Sequence, residues 1–451
     1  MNKVFTTTAF SVAAGLALVA GSAAAGTVTS KGEDIIIDTT GGLKMETASG
    51  KFTFNLGGRL MWDYDYYDGA FTGGGTPVND RGDAVHHDNL RRARLELEGT
   101  VYDNWEYIFT VNFGQSGGTS INDIGLAYTG FDGHKIFLGR GKEPFGLEEL
   151  TSSKWTSTIE RSMFNDATNS DAQTDYGVRY DGWYSMFNWQ FGFFSPSEGD
   201  GGFPDSNGST TFAKTGRFTF APVAQDGNVV HFGVSYSDRA SAEAGAERLI
   251  NASPGISSIS KNGSHSNLLR VGSAGQVVAD DESQWGLEAL GIFGPASLQF
   301  EYFMRDVEID PVAASNAGLA GLSDQEVQSW YLMGTYTLTG ESRGYKAKGA
   351  TPDKISPKGR YGAIELVLKY DYIEADTGGN ESTGLNLTPA GSTNPEVTAI
   401  TAGVNWYVNK NVKLALNYTD ASSDNLVAPS TAATPTWDDG DALLFRAQYA
   451  F

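Results

Sequence analysis

Over long stretches of this chain every second residue is apolar. Phe52, Phe54, Leu56, Gly58, Leu60, Trp62, Tyr64 and Tyr66 share one face of an extended backbone, while Thr53, Asn55, Gly57, Arg59, Asp63 and Asp65 share the other. The same ladder returns at Trp105, Tyr107, Phe109, Val111 and Phe113, and at Phe187, Trp189, Phe191 and Phe193. It appears again at Leu298, Phe300, Tyr302 and Met304, at Ile364, Leu366, Leu368, Tyr370 and Tyr372, and at Val412, Leu414, Leu416 and Tyr418. Finally, Leu443, Phe445, Ala447, Tyr449 and Phe451 alternate with Leu444, Arg446, Gln448 and Ala450. A period of two is the signature of β-strands with unlike faces. A closing strand with an apolar face and a terminal aromatic suits a membrane barrel, in which one face meets lipid and the other water.

The alternation predicts strands near 52–66, 90–101, 105–114, 121–131, 134–140, 175–182, 185–194, 214–221, 229–238, 283–293, 296–305, 328–339, 360–373, 397–408, 411–420 and 441–451. Sixteen is an even number, and a barrel of that size leaves a water-filled lumen. Short connections at Tyr102-Asp103-Asn104, Asp132-Gly133, Asp181-Gly182, Gly294-Pro295 and Asn409-Lys410 alternate with long polar ones at 67–89, 141–174, 195–213, 239–282, 306–327, 374–396 and 421–440. Short turns on the periplasmic side and long loops outside produce this segregation. Two connections strain the rule: 115–120 is short where an outer loop is expected, and 340–359 is long where a turn is expected.

The ends of the chain refine this division. Lys3, the apolar run Ala9 to Ala20 and Ala23-Ala24-Ala25 read as a secretory signal peptide over 1–25, with the mature chain starting at Gly26. Residues 26–50 read as a periplasmic lead-in, and 51–451 as the barrel domain. After residue 25 no apolar stretch of about 20 residues exists, so helices do not span the bilayer. With no cysteine among 451 residues, thiol chemistry and disulfides are excluded. A net charge of −22 argues against nucleic acid and anionic membrane surfaces. The 56 glycines and 12% aromatics suit many strands and turns.

In a barrel the lumen is the site, and parity tells which residues line it. Arg59 lies opposite a row of aromatics and so faces inward; on the lipid face it would cost roughly 2–4 kcal/mol at the midplane. Predicted inward cations are Arg59, Arg92, Arg94, Arg179, Arg217, Lys369, Lys413 and Arg446. Predicted inward anions are Asp63, Asp65, Glu96, Glu98, Glu106, Glu288, Glu301, Glu365 and Asp371. Arg91 has the wrong parity, which places it at a strand end, in a bulge or against a neighbouring subunit. For any one of these residues the plain alternative is a solvated wall position. His86-His87 and Arg81-Gly82-Asp83 lie in a polar loop and carry no distinctive spacing. No Gly-x-Ser-x-Gly elbow accompanies the five histidines, so a hydrolase is disfavoured and no cofactor or metal is expected.

Several stretches resemble the phosphate-selective porin O and P family: GTVTSKG at 26–32, LGGRL at 56–60, NLRRARLE at 89–96, YTGF at 128–131, FGLEELTSSKW at 145–155, YTLTGE at 336–341, GVNWY at 403–407 and the closing QYAF. The resemblance implies an all-β, transmembrane antiparallel barrel of about sixteen strands in the outer membrane of a Gram-negative bacterium. It also implies a homotrimer, long extracellular loops and a constriction loop folded into each pore. Arg59, Arg91 and Arg92 match family positions whose arginines crowd the constriction. Arg161, in TIERS, matches another, and Asp123 matches an aspartate beside the binding zone. Guanidinium is permanently charged and offers a planar fork that suits oxyanions. The chain departs from the family in carrying Glu149 where the central site has a lysine. Of two periplasmic-side lysines, one matches Lys346 and the other falls on Ser356. The family's outer arginine ladder survives at most as Arg248.

The expected function is a passive diffusion channel for small hydrophilic anions, phosphate or polyphosphate among them, with outer-membrane lipid as its surroundings and no enzymatic activity. The alternative is a general or weakly cation-favouring porin of the same fold. Lysine replaced by Glu149 changes the local charge by two, and each unit-charge contact at ~4 Å and an effective dielectric of about 20 is worth roughly 4 kcal/mol. An adhesion barrel using its long loops would be separated from both by the absence of ion conductance.

Overall fold

The computed structural model describes residues 26–29, 32–39, 42–67, 85–114, 118–167, 174–195, 212–240, 250–252, 269–271, 279–309, 324–376, 396–424 and 439–451. The signal segment 1–25, most of the long outer loops, Arg81-Gly82-Asp83, Arg248 and His265 lie outside these residues.

Sixteen antiparallel strands form a closed wall. They are β1 (Thr53–Tyr67), β2 (Val85–Val101), β3 (Trp105–Asn112), β4 (Ser120–Tyr128), β5 (His134–Lys142), β6 (Thr174–Tyr184), β7 (Phe187–Ser195) and β8 (Ala213–Gln225). The second half is β9 (Asn228–Ala240), β10 (Ala279–Phe293), β11 (Ala296–Ile309), β12 (Gln325–Thr337), β13 (Ala363–Asp376), β14 (Glu396–Tyr407), β15 (Val412–Asp424) and β16 (Asp439–Ala450). Each strand pairs with the next, and β16 pairs with β1, so the wall has no open edge. Closure satisfies the backbone without water, which is what a bilayer demands. All sixteen strands fall where the alternation places them, with two corrections: Asp181-Gly182 continue β6, so the turn is Ser185-Met186, and β2 reaches back to Val85, so His86-His87 belong to the wall and not to a loop.

The two faces are inverted relative to a soluble protein. On β1, Trp62 and Tyr66 are 43% and 47% exposed on the outside, whereas Asp63 and Asp65, on the inside, are 0% exposed. The ladders of aromatic and aliphatic residues therefore cover the lipid face. Inward charges meet across the wall: Arg446 grips Asp63 with two bonds of 2.7 Å, Lys369 pairs with Asp371 at 3.1 Å, and Arg217 pairs with Glu288.

The seam is closed by the last residue. Phe451 donates its N–H to Gly58 O (3.1 Å), and Gly58 N–H donates to Phe451 O (2.9 Å). A Cβ on Gly58 would stand 2.4 Å from Arg94 O and 2.8 Å from the Phe451 ring, so only glycine fits. Below this point the lead-in takes over the place of β16. Strands Gly26–Thr29, Asp34–Asp38 and Leu43–Thr47 pair in sequence, and Leu43–Glu46 then pairs with Thr53–Leu56 of β1.

Candidate functional site

Two segments fold from the rims into the lumen. The first leaves the wall after β5. Gly146 takes φ +71°, a left-handed value that suits glycine, and turns the chain into the short helix α1 (Leu147–Leu150). The first backbone N–H groups of α1, on Leu147 and Glu148, donate to the Glu301 carboxylate of β11. Phe145, and Phe164 from helix α2 (Met163–Ala167), pack on Phe303; the Phe164 and Phe303 rings lie 4.0 Å apart and nearly parallel. Tyr331, Met333 and Val367 complete this apolar dock. Each such buried side chain contributes about 1.5–3 kcal/mol. The alternation alone assigns a polar lumen, and the dock is built from apolar residues of inward parity that it does not flag.

Between these anchors the loop is bound to the far wall. Gln448 donates to Lys154 O (3.0 Å), Lys413 Nζ to Thr156 O (2.7 Å), Asn405 Nδ2 to Ser157 O (2.7 Å) and Arg446 to Ile159 O (2.6 Å). Its acid Glu160 accepts Arg91 at 2.8 and 2.9 Å and Arg446 at 2.8 Å.

The second insert is the β12–β13 connection, 338–362, the one too long to be a turn. It carries a hairpin of Arg343–Lys346 with Thr351–Ile355, folded against the inner wall. Tyr345 OH meets His231 Nδ1 at 2.8 Å, Arg217 donates to Gly349 O and Ala350 O, and Asn188 donates to Lys348 O (2.6 Å). Arg343 joins the two inserts: it donates to Trp155 O (2.8 Å) and Ser157 of the loop and pairs with Glu365 of β13.

The inserts leave a cavity of about 610 Å³ against the β1–β7 side of the wall. Thr53, Asn55, Glu98, Glu106, Asp123, Lys135, Lys142, Gln190 and Arg179 line it, with Leu150 from the loop, Gly349 and Thr351 from the hairpin, and Lys44 and Glu46 from the lead-in.

Most of the sequence-predicted site residues are engaged in pairs beside this cavity. Arg59 donates to Ser153 Oγ (2.6 Å) and, through Nε, to Glu96 (2.8 Å). Arg91 sits in a β-bulge: Met61 faces Arg92 while Trp62 faces Leu90, so Arg91 is the extra residue and turns inward. Of the three placements its parity left open, the bulge is the one observed. Arg161 staples the loop, donating to the carbonyls of Glu148, Glu149 and Thr151. Glu149 pairs with Lys142 at 2.7 Å and Arg161 at 3.3 Å. Burial pushes its carboxyl up, but Arg161 and Lys142 override burial and hold it below the ordinary range. Asp123 lines the cavity. Lys346 lies on the hairpin, 53% exposed, and pairs with Asp353 at 3.5 Å.

Among the described residues the one hydrogen-bond partner of Arg92 is Met61 Sδ at 4.0 Å, and the Arg94 Nε is buried without one. Neither has a carboxylate partner among the described residues. Arg59, Arg91, Arg92, Arg94, Lys142, Lys154, Arg161 and Arg446 thus stand with Asp63, Glu96, Glu98, Asp123, Glu149 and Glu160, eight cations to six carboxylates. Lys142, Lys154, Glu160 and Arg343 were not singled out from sequence. Adjacency to the loop would have flagged Lys142, and the neighbouring charges in TIERS would have flagged Glu160.

The sequence pattern of the family "phosphate-selective porin O and P" matches residues 54–451. Porin O of Pseudomonas aeruginosa is 34% identical over 458 residues, which covers 98% of both chains. Among solved structures, the anion-selective porin of Comamonas acidovorans aligns with a TM-score of 0.52 and 13% identity, over 89% of this chain and 100% of that one. The outer membrane channel DcaP of Acinetobacter baumannii aligns with the same TM-score and 14% identity, over 90% and 99%. These structural likenesses share the barrel fold. The chain belongs to the phosphate-selective porin O and P family, as a porin of the Gram-negative outer membrane.

Proposed function

We propose that this porin is a passive diffusion channel favouring small hydrophilic anions, with phosphate and polyphosphate as the solutes its family indicates. The observation that carries this is the excess of cations over carboxylates where the two inserts narrow the lumen, in a chain whose overall charge is −22. Arg92 and Arg94 supply that excess, because each lacks a carboxylate partner among the described residues. Guanidinium does not deprotonate, so the excess persists at any physiological pH. Brief residence is what a channel needs, and arginines held mostly out of the solvent, Arg92 being 8% exposed, support weak binding.

Arg92→Glu changes the local charge by two. In a planar bilayer under a potassium chloride gradient the unaltered protein is expected to reverse on the anion side and the variant to move toward the cation side. A wild-type reversal potential on the cation side would reject anion preference. The alternative, a weakly cation-favouring porin, draws on Glu46, Glu98, Glu106 and Asp123 in the open cavity, but Lys44, Lys135, Arg140, Lys142 and Arg179 line the same cavity and outnumber them.

The same proposal includes removal of residues 1–25 on export, a periplasmic lead-in and a homotrimer. An outer groove supports the trimer: Gly334 and Ala402 leave room between Leu366, Leu368 and Tyr418 for a neighbour's side chains. N-terminal sequencing and the mass of the native assembly test these points.

A further inference from the structure

We propose that Lys142 is the anion contact of the open passage and that Glu149 acts as a tethered carboxylate which attenuates it. The inference rests on the anion-channel function above and deepens it by assigning the contact. Lys142 is the one cation of the constriction cluster that lines the cavity. Its side chain keeps 26% exposure, whereas Arg59, Arg91 and Arg92 are nearly covered by the loop. Asp123 lines the same cavity.

Glu149 does not project into the passage as a repulsive charge. It is 4% exposed and turned behind Lys142, with Oε1 at 2.7 Å from Nζ. The Glu149 carbonyl accepts the same ammonium. Its other oxygen, Oε2, lacks a hydrogen bond and sits 3.3 Å from Arg161, whose guanidinium is fixed by three loop carbonyls. Arg161 therefore cannot follow a solute, but Lys142 can. Its flexible stem and compact charge allow the ammonium to exchange one oxyanion for another. A permeating oxyanion competes for Lys142 with a carboxylate that never leaves, which keeps the passage weakly binding. A lysine on the loop, at position 149, would meet no such competitor. The ligand class is a small oxyanion, and inorganic phosphate is the probe.

The experiment records phosphate block of chloride conductance in planar bilayers for the full-length mature protein, E149Q, K142Q and K142Q/E149Q, each first checked for heat-resistant folded migration. E149Q is expected to lower the half-blocking phosphate concentration about tenfold, a change of about 1.4 kcal/mol. K142Q is expected to abolish block, and the double variant to behave as K142Q, because Glu149 acts only through Lys142. Unchanged block in E149Q, or an equal shift with and without Lys142, would overturn the proposal. If E149Q does not assemble, the double variant carries the test, since it leaves neither member of the pair uncompensated: retained block overturns the assignment. Failure of the anion-channel function itself would appear elsewhere, as a wild-type reversal potential on the cation side that Arg92→Glu leaves unmoved.

Discussion

Glu160→Gln is expected to release the tip of the inward loop and to raise single-channel conductance several-fold. Glu160 is the only carboxylate partner of Arg91 among the described residues, and it shares Arg446 with Asp63. All four side chains are buried. Removing one member of such a group leaves an uncompensated charge, which typically costs about 3–5 kcal/mol. Arg446 keeps Asp63, but Arg91 would stand beside Arg92, which has no carboxylate partner among the described residues. The Phe145–Phe164–Phe303 dock holds the other end of the loop, so the barrel is expected to persist while residues near Ile159 leave the wall. Single-channel conductance reads the opening, and the urea midpoint reads the lost stability. Adding Arg91→Gln to the first substitution is expected to restore part of both, because the stranded charge is removed with its partner. Unaltered conductance in the single variant would show that the loop is held without this pair.

The same group sets a pH dependence. Burial pushes the Glu160 carboxyl up, but Arg91 and Arg446 outweigh burial and hold it well below its ordinary value of 4.5. A carboxyl depressed in the folded state contributes its full stability above the unfolded value and loses it as pH falls through the folded one. Conductance is therefore expected to stay constant from pH 8 to about 5. The loop-open level should appear only below the ordinary carboxyl range. An opening near neutral pH would contradict the pairing.

Gly58→Val is expected to abolish assembly of the barrel. Its Cβ would lie 2.4 Å from Arg94 O, a backbone atom that cannot move without breaking the β1–β2 ladder. On its other side stands the Phe451 ring at 2.8 Å, and Gly58 exchanges both of its backbone bonds with Phe451. The substitution thus strikes the pairing on both sides of β1 at the seam, where an unpaired backbone group in lipid costs several kcal/mol. The measurement is the fraction of protein reaching the heat-resistant folded form from detergent. Gly359→Val, in the β12–β13 connection, is the control, because its nearest neighbour is Gly362 O at 3.8 Å and it is expected to fold normally. Equal yields for the two variants would remove the seam from its assigned role.

How much of this was legible in the chain depends on the range of the forces involved. Strand number, strand order around the wall and inward or outward facing follow from a period of two, because a lipid face and a water face each constrain every second residue. Arg59, Arg92, Asp63 and Arg446 could be placed inside by parity alone, and Arg91 stood out because it violated parity. The bulge that resolves it is a register shift between two strands, visible only once they pair. Partnership was hidden for a different reason. Arg91 meets Glu160 across 69 residues and Arg446 meets Asp63 across 383, and no local pattern encodes such distances.

The charge of Glu149 was plain from the sequence, but its direction was not. Whether a carboxylate repels a solute or neutralises a lysine depends on which way the loop turns after Gly146 and on where Lys142 ends its strand. The length of the 340–359 connection stood out as an anomaly; only packing against His231 and Arg217 shows it to be an insert that fills the lumen. Alternation with lipid and water thus determined the barrel and the facing of its side chains. Tertiary contact alone decided which of the inward charges remain open to a passing ion, because that outcome belongs to pairs of residues far apart in the chain.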